Sequence, residues 1–411
     1  MSDLKLTQDF PATSEIDWKA LVVKGLRGAD FESLTRITDD GLIRGPLSTA
    51  ANKPETTAPQ ARAGAPLLDN RPWHITAPVR DPEIAHANKQ ALEDLSGGAS
   101  ALRITLGKNG VAIKNANEMK RLLDNVYTNL APITLAPNND ISNAELLKDF
   151  KTANICLGLG PKTDGLAELA KSLPDTWRLI TINAARVHDT GGTEAQELAY
   201  FAASAAYAYR VLGKQAAKHV GVELTTNQDG HLSIAKLRAA RRIYARIAES
   251  FGVMDAPLSL HAISSKRMMQ STDPWTNMLR VMSAGFGAVI GGADFITTRP
   301  FTDAIGHATP FGHRIARNMQ LMMMEESHLG QVQDAAYGSY FHERMTHSLA
   351  QKGWAEFQQI ERDGGIDNIA PFKLRIKDAA KAREDKAEPI LGVTLHPAEK
   401  NREAKVRRAA T

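Results

Sequence analysis

Large aliphatic residues alternate with small or polar ones in six short segments of this chain. The segments are 101–106 (ALRITL), 132–137 (PITLAP), 154–160 (NICLGLG), 179–185 (LITINAA), 219–224 (HVGVEL) and 258–263 (LSLHAI). One set comprises Leu102, Ile104, Ile133, Leu135, Ile155, Leu157, Ile180, Ile182, Val220, Val222, Leu258 and Leu260. The other comprises Arg103, Thr105, Thr134, Cys156, Gly158, Thr181, Asn183, Gly221, Glu223, Ser259 and His261. A period of two places the sets on opposite faces of each strand. Helix-like stretches separate the segments, which predicts repeated βα units and a parallel sheet. A sheet clothed in helices turns its aliphatic face toward them, so the small polar set points inward. An ordinary (β/α)8 barrel fills its interior with branched apolar side chains. The polar set here predicts a wet axis open to an elongated ligand. The competing pattern is an open antiparallel sheet with one solvated face; the helical connections weigh against it.

Helical periodicity is read at 86–95, 117–129, 143–150, 165–172, 194–212, 235–251, 274–290 and 311–329. Two further strand candidates, 293–298 (ADFITT) and a weaker 331–335, bring the total to eight, the number that closes the barrel. Longer helices are expected at 340–362 and 372–388. Residues 1–70 read as an N-terminal arm and linker that contacts a partner subunit or the chain's own barrel, with a short helix near 17–23 and an Ala/Pro/Thr/Gly-rich loop at 52–69. The expected division is arm 1–70, barrel 71–366, and C-terminal helix with basic tail 367–411.

Bulk properties narrow the function. The apolar fraction of 43% is that of a soluble globular protein. No run approaches the roughly 18 apolar residues of a membrane span. The opening MSDLKLTQDF has no signal-peptide character. A single cysteine, Cys156, excludes an internal disulfide and fits the reducing cytoplasm. It reads as a small core residue. Net charge is +4, with basic excess in 400–408 (KNREAKVRR). No aromatic residues interleave that run, so it reads as a solvated, frayed tail rather than a nucleic-acid arm.

Candidate chemistry is sparse. His342–His347 (HERMTH) puts its second histidine at i+5, about 140° round a helix, so no zinc site forms. Residues 158–163 (GLGPKT) lack phosphate-loop spacing and read as a turn at the C-terminal end of a strand. Residues 186–192 (RVHDTGG) are a candidate anion or acid/base loop at the barrel mouth through Arg186 and His188, or a loop held by His188–Asp189 hydrogen bonding. His261 is either a lumen-lining catalytic group or a satisfied core histidine. The methionine-rich 319–324 reads as flexible core filling. The substrate-binding candidates are therefore Arg103, Thr134, Thr181, Asn183, Arg186, His188 and His261, with no metal site.

A set of ordered motifs adds a family resemblance. They are RPW (71–73), GGTEAQELAY (191–200), IAKLRAAR (234–241), DPWTNMLR (273–280), GADFITTRPFTDAIG (292–306), RIARNMQLMMMEESHLG (314–330) and ILGV (390–393). Together they resemble the substrate-binding barrel of the methylmalonyl-CoA mutase family, most closely its small (β) subunit. The resemblance implies a (β/α)8 barrel with a polar lumen threaded by the pantetheine arm of an acyl-CoA. It also implies an extended arm that wraps a partner.

Two departures shape the expected function. Family subunits continue into a Rossmann-like cobalamin domain; this chain stops near where that linker begins, so no such domain is expected. The nearest approach to the family's cobalamin motif D-x-H-x-x-G is Asp229-Gly230-His231, where Ile234 takes the glycine position. The family's catalytic tyrosine in T-I-R-Q-Y falls on Pro78. Its G-Y-H falls on Ala184, Ala185 and Arg186, and its carboxylate-clamping arginine on Ser259. The resemblance therefore implies an accessory, non-catalytic barrel paired as a heterodimer with a large (α) mutase chain. That chain would carry adenosylcobalamin and the methylmalonyl-CoA to succinyl-CoA isomerisation, and this one would bind no cofactor alone. Two alternatives stay open: an acyl-CoA-binding barrel of a split mutase with cobalamin on a separate chain, and a repurposed acyl-CoA-binding protein.

Overall fold

A computed structural model describes residues 13–52, 54, 71–386, 388–397, 399 and 402–409. Eight parallel strands close into a barrel. In chain order they are β1 (His74–Val79), β2 (Ala101–Ile104), β3 (Ile133–Leu135), β4 (Ile155–Leu159), β5 (Trp177–Asn183), β6 (Val220–Thr226), β7 (Ser259–Ser264) and β8 (Phe295–Thr297). Each pairs with its sequence neighbours, and β8 returns to β1 through Phe295↔His74 and Ile296↔Ile75. Helices alternate with the strands, so the chain is a (β/α)8 TIM barrel.

The twelve aliphatic residues of the alternating set are each at most 2% exposed. They join one core with the surrounding helices. Burying each such side chain contributes about 1.5–3 kcal/mol, so the strand pattern and the helical jacket specify one another.

One expected strand is corrected. Residues 331–335 are turns, and the missing eighth strand is β1. β1 carries Pro78, which lacks a backbone donor and reads as a strand breaker. It is accommodated because Val79 still supplies a carbonyl to Thr105 N at 2.9 Å.

Helices Glu194–Leu212 and Tyr340–Arg362 fall where periodicity places them. Thr193 and Gln196 form a capping box at the first. Residues 117–129 and 143–150 yield shorter helices, Ala116–Leu122 and Asn143–Leu146. The methionine stretch ends in a π-turn, Met322–Glu326, with Met323 and Met324 buried as core filling.

The arm begins with the helix Glu15–Gly25, capped by Ser14 and without a buried residue. A two-stranded ribbon, Arg36–Ile37 with Ile43–Arg44, follows. The turn between them docks on the chain's own barrel. Asp40 accepts from Ala195 N at 3.3 Å, Asp39 pairs with Arg383 at 2.6 Å, and Arg44 pairs with Asp229. Apart from Asn52 and Pro54, the 52–69 loop lies outside the described residues.

The basic tail is corrected as well. Val406–Ala409 forms a strand antiparallel to Gly306–Ala308. Arg407 reaches Asp81 and Arg408 reaches Glu83 at 3.6 Å, so the tail is held against the barrel mouth by charge as well as by backbone pairing.

Candidate functional site

The inward strand positions meet in a layered axis. Arg103 on β2 and Glu223 on β6 stand on opposite strands of the eight. Their side chains join across the lumen, Nε to Oε2 at 2.6 Å and Nη2 to Oε1 at 3.0 Å. This bidentate pair is only 13% and 4% exposed. Burial works to raise the Glu223 carboxyl, but the Arg103 guanidinium outweighs it and the net shift is downward.

The other lumen groups are also tied up. His261 Nε2 bonds Thr297 Oγ1 at 2.8 Å. Burial depresses its pKa to about 4, against the opposing pull of Glu223, so the ring is neutral at pH 7. Cys156 Sγ lies 3.1 Å from Thr181 Oγ1. Phe295 stacks on His74 with ring centroids 4.7 Å apart, and Arg178 lies over the same ring at 5.7 Å.

On the C-terminal side of this layer opens a cavity of about 720 Å³. It is lined from the predicted set by Arg103, Asn183 and Pro78. Thr134, Thr181 and His261 do not line it; all three are buried. Ser259 opens β7, whereas the mouth is reached from Ile263 and Lys266 at the other end.

The 186–192 loop is corrected to a short helix, Ala185–Asp189. Arg186 projects into solvent, and Ala185 is buried. His188 is fully enclosed, with Nε2 2.9 Å from Ser265 Oγ and Nδ1 3.7 Å from Glu194. Burial, reinforced by Lys236, pushes its pKa well below the ordinary value. It therefore offers no anion contact at the mouth.

Sequence reading missed the charges that dominate the mouth. Arg80 and Arg299 share Asp303, the latter at 3.1 Å, and Lys266 lines the same wall. The available signal was position: Arg80 follows β1 and Arg299 follows β8, where barrel loops build sites.

Several family motifs prove to be buried ion networks. Lys236 Nζ contacts Glu197 Oε2 at 2.5 Å and Thr225 Oγ1 at 3.0 Å. Arg238 holds Asp334 at 2.9 Å and Glu343 at 2.6 Å. Arg241 reaches the carbonyls of Leu258 and Gly292 at 3.0 and 2.6 Å. Such groups need matched partners, and each of the three has them within the barrel wall.

A closed barrel with a polar, internally paired axis and a charged C-terminal mouth defines the class as a (β/α)8 TIM barrel with its pocket at the C-terminal ends of the strands. The methylmalonyl-CoA mutase family model matches residues 163–409. The methylmalonyl-CoA mutase small subunit of Streptomyces virginiae is 35% identical over 96% of this chain and 72% of its own length. A probable small subunit of Mycobacterium bovis is 35% identical over 88% and 66%. The small subunit of Propionibacterium freudenreichii subsp. shermanii is 32% identical over 96% and 70%. The chain belongs to the methylmalonyl-CoA mutase family, as a subunit similar to these small subunits.

The residues nearest to the family's cobalamin motif do not fit that role. Asp229 pairs with Arg44 and caps the helix Gly230–Ser250 through Leu232 N at 3.1 Å. His231 Nδ1 meets His342 Nε2 at 3.1 Å. Ile234 is buried in that helix where the motif needs a loop glycine. No helix among the described residues is long and apolar enough to cross a membrane.

Proposed function

We propose that this chain is an accessory, non-catalytic barrel subunit of an adenosylcobalamin-dependent methylmalonyl-CoA mutase. In this reading a large (α) partner holds the cobalamin and interconverts methylmalonyl-CoA and succinyl-CoA. The two chains form a heterodimer in the cytoplasm, and this chain binds no cofactor itself.

The Arg103–Glu223 pair carries the reading. A pantetheine arm threaded along the axis would have to part groups 2.6 Å and 3.0 Å from each other. Separating them strands two charges in a low-dielectric lumen, at a cost of several kcal/mol. The family's positioning groups are also replaced: Pro78 has no donor, Ala185 is apolar, and Arg186 faces solvent. Nothing there orients a thioester or stabilises its developing charge.

The arm supports a structural role. Ile16, Leu21 and Val23 are 80%, 66% and 47% exposed on a helix with no buried residue. An isolated helix of 11 residues is marginal in water, so a partner surface is the natural cover for the face that Ile16 and Val23 share, seven residues apart.

The test is to purify the chain alone and with its α partner. Mutase turnover with adenosylcobalamin and CoA-ester binding are then measured for each. The expected result is stable co-purification, turnover only when the α chain is present, and no CoA-ester binding by the lone chain. Turnover by the lone chain, or an α chain equally active and stable without it, overturns the proposal. CoA-ester binding by the lone chain overturns it too. That result favours the split mutase if an added cobalamin-bearing chain restores turnover, and a repurposed acyl-CoA-binding protein if it does not.

A further inference from the structure

The mouth cavity has a chemical character that subunit pairing does not use. Its volume of about 720 Å³ suits a small molecule. Eight Lys and Arg side chains line it against three carboxylates. Pairing accounts for part of this excess. Arg103 is matched by Glu223, Arg407 by Asp81, Arg408 by Glu83 and Lys89 by Glu93. Asp303 answers two guanidiniums at once, Arg80 and Arg299. Lys266 and Lys108 have no ion pair within 4.0 Å among the described residues. Asp189 accepts from Lys266 N at 3.3 Å and, with Asp303, acts on Lys266 from beyond ion-pair distance. Roughly two positive charges thus converge on one concave space without a counter-charge of their own.

The wall is preorganised as well as charged. Arg299 donates from Nε to Ser264 O at 2.6 Å and from Nη1 to Asp303 at 3.1 Å, which fixes its plane. Burial lowers the Lys266 pKa, and Arg299 and Arg80 add to that shift by like-charge repulsion. An anion placed there would relieve that repulsion. Asp81, Glu83 and His86 lie close enough together to suggest a cation site. Arg407 and Arg408 already occupy two of those carboxylates, so this side of the rim is neutralised.

We propose that the barrel mouth binds a small organic polyanion carrying two or more negative charges on phosphate or carboxylate groups. The lining holds no Phe, Tyr or Trp, so it offers no platform for a nucleobase. The Arg103–Glu223 floor limits the ligand to the mouth rather than the axis. The proposal does not rest on the accessory-subunit reading, since it concerns only charges within this chain.

The experiment is calorimetric titration of the full chain at low ionic strength with inorganic pyrophosphate and, separately, citrate. Acetate serves as the monovalent comparison. Lys266→Gln, Lys108→Gln and the remote surface variant Lys120→Gln are titrated in parallel, each checked by its unliganded melting temperature. Pyrophosphate, citrate or both should bind more tightly than acetate. Lys266→Gln should weaken that binding about tenfold, Lys108→Gln less, and Lys120→Gln not at all. Preference for pyrophosphate assigns a phosphate ester; preference for citrate assigns a polycarboxylate. Polyanion binding no tighter than acetate, or a Lys266→Gln variant that matches Lys120→Gln, overturns the proposal.

Discussion

Arg103 and Arg238 are both guanidiniums held by buried carboxylates, yet they lie on opposite sides of the barrel wall. Arg238 sits among the outer helices, bonded to Asp334, Glu343 and Thr346. It fastens the long helix Tyr340–Arg362 to the helix Gly230–Ser250. Arg103 points the other way and meets Glu223 across the lumen. The outer cluster joins elements that the apolar core already brings together. The inner pair fills space that a ligand-threaded barrel would need open. One chemistry thus serves cohesion on one side and closure on the other, and only the second has a direct reading in function.

The largest effect expected from breaking this comparison is at the outer cluster. Arg238→Met takes the guanidinium away from Asp334 and leaves Glu343 to Arg242, and should cost about 3–5 kcal/mol in urea denaturation. Arg103→Met should cost about 3 kcal/mol, since it strands Glu223 alone. The double variant Arg103→Met/Glu223→Met should recover to within about 1–2 kcal/mol of the parent, because two matched apolar groups replace a desolvated pair. Additive losses would show that the two residues are not coupled.

The docked arm offers a pH-dependent contrast. Burial, then the neighbouring Glu194, raises the Asp40 pKa to about 7, against hydrogen bonds from Thr193 and Ala195. Asp39 adds further negative charge, though Arg383 and Lys386 pair with it. A raised folded-state pKa means that docking is strongest below Asp40's ordinary value and is lost as pH rises through about 7. Hydrogen exchange across residues 36–44 should therefore be slower at pH 5.5 than at pH 8, by on the order of 1–2 kcal/mol in protection. Asp40→Asn should flatten that dependence. The smallest effect belongs to the exposed Lys218–Asp175 pair, whose carboxylate is wholly solvated. Lys218→Ala should leave the melting temperature unchanged.

The barrel was legible because strand alternation and helical periodicity both report burial against the same core. Leu102, Ile104, Ile180 and Ile182 declared their outward face, and Arg103 and Glu223 their inward one. β1 escaped because Pro78 breaks the local signal while the ladder around it survives. The mouth was less legible: Arg80, Lys266 and the Arg299–Asp303 pair come from loops after three different strands, and only closure of the barrel brings them together. His188 misled for the converse reason. A polar loop residue beside a strand end reads as exposed, but a short helix turns it inward against Ser265 and Glu194. The tail misled because its anchors, Asp81 and Glu83, are distant in sequence.

Cys156 inherits a consequence from the layered axis. Its sulfur is buried against Thr181 and does not line the mouth cavity, from which Arg103 and Glu223 screen the lumen. With the residue only 5% exposed, thiol reagents from solvent reach it slowly while the staves hold together. The rate at which this lone sulfhydryl is alkylated thus becomes a clock for barrel opening, with no probe to be engineered.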